Sequence, residues 1–216
     1  MTMSRSITTN QDGVHDHLAG IVRKHMAHPF QKPVAEHTKR AFADADAFIK
    51  AAGKPIVFDS CCGVGESSRF LAEKFPDHSV VGVDKSLKRL GKEGYGDRPD
   101  NLILVRADLN DFYRLAHDHG WRLAHHFILY PNPWPKADHV KRRWHGAPVF
   151  PTMVGLGGRM EVRSNWKIYL DEFQQALHLL GRKCDVQSYK TSTPITPFER
   201  KYQDSGQGLW QLVAKP

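Results

Sequence analysis

Short, continuous apolar runs alternating with helical stretches constrain this chain more than any other feature. Ile56-Val57-Phe58, Val80 to Val83, Leu102 to Val105 and Phe127 to Tyr130 are too short for helices and too uniformly apolar for one-sided strands. Runs of this kind are strands buried on both faces of a parallel sheet. A fifth, Arg159 to Val162, follows the turn signal Gly157-Gly158, and strands near Cys184 to Tyr189 and Gly208 to Val213 are expected to pair antiparallel across a long loop. Helical spacing links Phe42, Ala45, Phe48 and Ile49 ahead of a stop at Gly53-Lys54-Pro55, and a second helix is predicted over Ser67 to Phe75. A third runs from Trp166 to Leu180, with Tyr169, Leu170, Phe173, Ala176, Leu177 and Leu180 on its apolar face. The order predicts an α/β fold with a mostly parallel seven-stranded sheet and an antiparallel final strand.

With 216 residues, the chain suits one α/β domain, expected over 33–216. Residues 1–32 are polar, carry His15, His17, His25 and His28, and are interrupted at Pro29, with Pro33 following, so they read as a mobile or lightly packed arm. Those histidines match no tight zinc spacing and have no cysteine nearby, so no metal site is expected. The three cysteines, two of them adjacent at Cys61-Cys62, make no disulfide framework and suggest a reducing compartment. Without a signal-peptide core or an apolar run of about 20 residues, the expectation is a soluble, cytoplasmic protein. A formal net charge of +8 favours a polyanionic partner, because Lys and Arg that neutralise phosphates release condensed counterions.

The first strand runs into Asp59-Ser60-Cys61-Cys62-Gly63-Val64-Gly65-Glu66 and then a helix. Glycines let the backbone approach a ligand closely at the carboxyl edge of a parallel sheet. The stretch lacks the Gly-Lys-Ser/Thr ending of a P-loop. Asp84 ends the second strand about 20 residues on, where an acid serves a ribose hydroxyl pair. Asp108, after the third strand, is placed to receive an adenine amino group. A tight structural turn is the simpler reading of the glycines alone. Acids and glycines on three successive strand ends together resemble the class I S-adenosylmethionine-dependent methyltransferases, whose Rossmann-like fold opens with an acid followed by Gly-x-Gly-x-Gly; Cys61 stands at the first glycine. The resemblance implies S-adenosylmethionine as cofactor, held by Asp59, Cys61, Gly63, Gly65, Asp84, Lys85, Asp108 and Tyr130.

Three further segments are Pro131-Asn132-Pro133-Trp134-Pro135-Lys136 with His139-Val140-Lys141-Arg142-Arg143, then Arg163-Ser164-Asn165-Trp166, then Thr196-Pro197-Phe198-Glu199-Arg200. Together they resemble the bacterial tRNA (guanine-N7-)-methyltransferase family, from about Ile56 to the last strand. That family carries aspartates where Asn132 and Asn165 stand. The resemblance implies tRNA as substrate, Asn132 and Glu199 as catalytic residues, and Trp134, Lys136, His139, Lys141, Arg142, Arg143, Asn165, Thr196 and Arg200 as substrate contacts. Each has a structural alternative: Trp134 as a plug at the sheet end, the basic cluster as a solvated face, Asn165 as a helix cap. Two other functions stay open. Asn132-Pro133-Trp134 partly resembles the Asn-Pro-Pro-aromatic loop of amino-group methyltransferases, and the loss of both aspartates fits a non-catalytic cofactor- or RNA-binding relative.

Overall fold

The computed structural model describes residues 4–216, so residues 1–3 of the expected arm lie outside the described residues. Its strands are β1 (Ile56–Ser60), β2 (Ser79–Asp84), β3 (Leu102–Arg106), β4 (Leu123–Leu129), β5 (Arg159–Ser164), β6 (Cys184–Tyr189) and β7 (Leu209–Ala214). The helices are α1 (Leu18–Ala27), α2 (Glu36–Ala52), α3 (Glu66–Lys74), α4 (Leu87–Leu90), α5 (Leu109–Asp118), α6 (Phe150–Gly155), α7 (Lys167–Leu179) and α8 (Pro197–Asp204). The strands form a seven-stranded sheet in the order β3-β2-β1-β4-β5-β7-β6. β1 pairs in parallel with β2 and β4, and β2 with β3, whereas β6 and β7 pair antiparallel from Cys184↔Ala214 to Tyr189↔Leu209. The expected architecture is therefore the observed one. The chain divides into two compact units.

One unit comprises Lys32–Leu129 and Gly155–Met160. Every residue of β1 and β2 is buried, as continuous apolar runs require. α2 turns Thr38, Phe42, Ala45 and Ile49 inward and stops at Gly53, whose left-handed φ of 60° lets its N–H reach the Ile49 carbonyl. Phe58 stacks on Phe112 at 5.5 Å and meets Trp121 edge-on, building the core around β1. β4 begins earlier than its apolar run suggests: His126 is fully buried, and its Nε2 lies 2.9 Å from Ser60 Oγ, which also accepts from the Tyr113 hydroxyl at 2.7 Å. A polar side chain whose partners lie across the sheet breaks the apolar pattern without breaking the strand. The order reverses between β1 and β4, and such a switch point is where open α/β sheets hold ligands.

The other unit comprises the chain up to Gln31, Tyr130–Val154 and Glu161–Pro216. Here α7 buries Tyr169, Leu170, Phe173, Ala176 and Leu177 completely. In the segment expected as a mobile or lightly packed arm, α1 buries Leu18 and Val22, and Gln11 reaches the buried carboxylate of Glu172 at 2.5 Å. Its anchors are polar and distant in sequence, so composition alone reads as looseness. Among the described residues no helix is long and apolar enough to cross a membrane.

Gly82 shows how tightly β2 and α3 meet. A Cβ there would press on Ser68 Oγ and, at 2.5 Å, on Leu104 Cδ2. Gly82→Ala is expected to destabilise the protein by about 1–3 kcal/mol through overpacking, read as a lower urea midpoint with an unchanged slope.

Candidate functional site

Two loops gather the predicted residues, one in each unit. The first leaves β1. Asp59 is buried, and its Oδ2 accepts hydrogen bonds from the hydroxyls of Ser67 (2.7 Å) and Ser68 (2.6 Å) on α3. Its Oδ1 is buried with no hydrogen-bond partner among the described residues. Burial pushes the Asp59 carboxyl up to about 6, against the pull of the two serines and with a push from Asp84. Asp84, also buried, accepts from the Gly63 N–H at 3.1 Å and the Ser86 N–H at 2.8 Å and pairs with Arg89 at 3.1 Å. The loop between these acids is wound left-handed at Cys61 (φ 61°), Gly63 (φ 62°) and Gly65 (φ 76°). A Cβ at Gly65 would meet Leu104 at 2.7 Å, whereas Gly63 faces open space. Cys61 takes up a conformation that costs a side-chain-bearing residue about 1–2 kcal/mol, and strain of this kind collects at ligand sites.

Asp108 caps α5, its Oδ1 accepting from the Asn110 N–H at 2.8 Å, and Lys85 is exposed beyond β2. Asp84 is thus bound to the loop at Gly63 and Asp59 to the start of α3, with Cys61 and Gly65 wound into the loop between. Ser67 and Ser68 were not predicted as site residues; their signal was two adjacent hydroxyls in the first turn of the helix, eight and nine residues beyond the first acid.

The second loop starts at Tyr130. Tyr130 (φ 51°) and Trp134 (φ 46°) complete, with Cys61, the set of non-glycine left-handed residues among the described residues. Asn132 is exposed, and its Oδ1 accepts from the Trp134 N–H at 3.3 Å, closing an Asx turn. Arg142 lies 4.8 Å over the Trp134 ring and His139 meets that ring edge-on at 5.5 Å. Lys136, Lys141 and Arg142 are exposed.

Four of the expected residues, Arg143, Glu199, Thr196 and Asn165, take up internal contacts. Arg143 is not a phosphate contact: it is fully buried and pairs with Glu172 at 2.5 Å. Burial opposes the charge on Glu172, but His145 and Arg143 outweigh it and hold the carboxyl at about 2. His145 Nε2 lies 2.7 Å from the same carboxylate, and burial lowers the His145 pKa against the pull of Glu172. Glu199 does not present a carboxylate to a substrate. It is fully buried, with Oε1 accepting from the Tyr130 hydroxyl (2.7 Å) and Arg163 Nη1 (2.9 Å), and Oε2 from the Ile195 N–H (2.8 Å). The Tyr130 hydroxyl is therefore engaged with Glu199. Thr196 is the cap of α8, accepting from the Glu199 N–H at 2.9 Å. Asn165 is not a cap: its Nδ2 donates to Gln207 Oε1 at 2.7 Å, and Ser164 Oγ takes the Trp166 N–H instead. Arg163, missed in the sequence, bridges Glu161 (2.7 Å) and Glu199 (2.9 Å) and lies 4.2 Å over Tyr189. Burial disfavours its charge, yet Glu161 and Glu199 outweigh burial and raise its pKa. On α8, Arg200 is exposed, as is Phe198, which stacks on Tyr202 at 6.1 Å. Among the described residues no group of three His, Cys, Asp or Glu side chains is arranged to hold a metal ion.

The profile of a family described as putative methyltransferase matches residues 53–212. Curated relatives include a tRNA (guanine-N(7)-)-methyltransferase of Nocardioides sp., 29% identical over 184 residues that cover 80% of this chain and 71% of that protein. Another of the same name, from Ralstonia nicotianae, is 26% identical and covers 79% and 71%. Among solved structures, an antibiotic-related methyltransferase superposes with a TM-score of 0.60 at 13% identity, covering 79% of this chain and 92% of the other. A variant 16S rRNA (adenine(1408)-N(1))-methyltransferase with cosubstrate SAM from Catenulisporales acidiphilia gives 0.56 at 19% identity, covering 80% and 92%. These last two likenesses are of fold.

Folded Asp59 keeps its proton up to about pH 6, whereas an unfolded aspartate releases it near 3.8. Stability is therefore lost as pH rises through that window, by up to about 3 kcal/mol. Asp59→Asn keeps an acceptor for both serines and removes the loss. In urea unfolding of the ligand-free protein, the variant is expected to match the parent near pH 4 and to exceed it by about 1–3 kcal/mol at pH 8; parallel pH profiles would contradict the assignment.

Proposed function

The chain belongs to the putative methyltransferase family, and we propose that it transfers the methyl group of S-adenosylmethionine to N7 of a guanine in tRNA. The observation that carries the reading is the turn after β1, where a buried aspartate keeps one oxygen without a partner beside glycines wound left-handed. The residues present fit the cofactor. Asp59 has an unsatisfied acceptor for a cationic ligand, Gly63 leaves open space at the loop, and Asp84 still has lone pairs after accepting from Gly63 and Ser86. Asp59, Gly63, Gly65 and Asp84 would hold it, with Asp108 and Lys85 at the following strand ends. Bound there, the cofactor supplies an electrophilic methyl on a sulfonium centre.

Guanine as acceptor is supported by the names of the curated relatives and by the chemistry of the second loop. N7 of guanine is an sp2 nitrogen with a free lone pair, so it needs no general base, and a neutral amide at residue 132 is compatible with transfer. Alignment of the base supplies much of the acceleration. Oδ1 of Asn132 accepts from the Trp134 N–H and keeps a second lone pair, so the amide can still accept from a donor edge of the base. Lys136, Lys141 and Arg142 supply phosphate contacts around this loop, and exposed Phe198 with Tyr202 offers a ring face to a base. Buried Glu199 holds Tyr130 and the start of α8 in place without touching the substrate.

Mass spectrometry of nucleosides from unmodified tRNA incubated with protein and S-adenosylmethionine is expected to show 7-methylguanosine. An exocyclic methylamine would replace the target assignment, and cofactor binding by calorimetry without product would favour a non-catalytic binding protein. Asn132→Asp adds a charge opposite the one that grows on the purine. It is expected to raise kcat/KM about tenfold, from a gain on the order of 1–2 kcal/mol; an unchanged rate in a folded variant would remove that role.

A further inference from the structure

The loop Pro131-Asn132-Pro133-Trp134-Pro135-Lys136 lacks backbone N–H groups at three of its six positions, because proline has none. It therefore has few donors of its own for its carbonyls. The donors come from elsewhere. Arg143 donates from Nε and Nη2 to the Trp134 carbonyl (both 3.1 Å) and from Nη2 to the Lys136 carbonyl (3.0 Å). The Pro135 carbonyl between them accepts from Thr9 Oγ1 at 2.6 Å, and the Ala137 N–H donates to Asn10 Oδ1 at 3.0 Å. Four consecutive backbone positions are thus held by one buried guanidinium and two residues of the amino-terminal segment.

The guanidinium is itself locked. Nη1 donates to Glu172 Oε2 at 2.5 Å, Nη2 to Gln11 Oε1 at 3.0 Å, and the group lies 4.9 Å over the Trp166 ring. Gln11 returns a hydrogen bond from Nε2 to Glu172 Oε1 at 2.5 Å, and the His15 N–H reaches the same oxygen at 3.0 Å. A planar fork with fixed donor directions can bridge these acceptors at once, which a single ammonium cannot.

We propose that Arg143 is a positioning residue, and that with the Thr9–Gln11 segment it sets the backbone on which Asn132, Trp134 and Lys136 meet the substrate. The inference rests on the proposed function only in naming the loop as substrate-facing. Trp134 is held left-handed, a conformation that persists only when its surroundings over-determine it, and the strap of Thr9, Asn10, Gln11 and Arg143 supplies that determination. The amino-terminal segment belongs to the site, although it stands far from the loop in sequence.

The test uses the full chain. In hydrogen exchange read by mass spectrometry, Thr9→Val, Gln11→Ala and Arg143→Lys are each expected to speed exchange at Trp134 and Ala137, whose N–H groups are bonded in the strapped loop, at least tenfold, while Thr9→Ser, which keeps the hydroxyl, restores protection. Thr9 is half-buried, so Thr9→Val reports on the strap where an Arg143 variant fails to fold. With tRNA, kcat is expected to fall at least tenfold, KM to change less than threefold, and the salt dependence of binding to keep its slope. Unchanged loop exchange overturns the proposal. So does a raised KM with intact kcat and a salt slope reduced by about one, the signature of a phosphate contact. The exchange measurement needs no substrate, so it decides the positioning claim even where the parent protein methylates no tRNA.

Discussion

A carboxylate taken out of water must be given donors or surrender its charge, and four of them fix the loops of this protein. In one unit, Asp84 takes the Gly63 N–H and so ties the turn after β1 to the end of β2, while Asp59 takes two hydroxyls from α3. In the other, Glu172 takes Arg143, His145, Gln11 and the His15 N–H, and Glu199 takes Tyr130, Arg163 and the Ile195 N–H. Asp84, Glu172 and Glu199 each join segments that lie far apart in the chain, whereas Asp59 reaches only to the start of the helix that follows its own strand. Three are fully provided with partners and act as structural clasps. Of these four, Asp59 alone keeps a buried oxygen with no hydrogen-bond partner among the described residues, and this is the observation on which the proposed cofactor site rests, in place of the more elaborately bonded Glu199.

The strands were legible because burial on both faces leaves little room for polar residues, and β1 and β2 are buried throughout. Where a polar residue finds a partner on the neighbouring strand, as His126 Nε2 does at Ser60, the reading stops short of the true strand start. The turn after β1 was legible for a different reason: left-handed backbone restricts composition, and Gly63 and Gly65 declare it. The amino-terminal segment was not legible. Its anchors are Thr9, Asn10, Gln11 and a backbone N–H at His15, polar groups whose partners stand more than a hundred residues away, and no local pattern marks such a bond. Glu199 was found by resemblance, but resemblance says only that the residue is wanted, not whether it faces a substrate or holds the groups that do.

The fate of the basic run Lys141-Arg142-Arg143 follows from helix period. Ala137–Arg142 is a 3-10 helix, in which residues three apart eclipse one another. Val140 is buried, so the residue three further on enters the interior beneath it, and the Arg143 N–H indeed donates to the Val140 carbonyl at 3.1 Å. Lys141 and Arg142, off that line, stay in solvent. A charge count treats the three as one patch, whereas the period divides them into two outward cations and one internal clamp. Two cations remain to attract a polyanion, and the third holds the loop they flank. If Arg143 also lay outside, the proline-rich loop would lose the donors its own sequence cannot provide, and the positive surface would gain charge at the expense of the geometry that makes the charge useful.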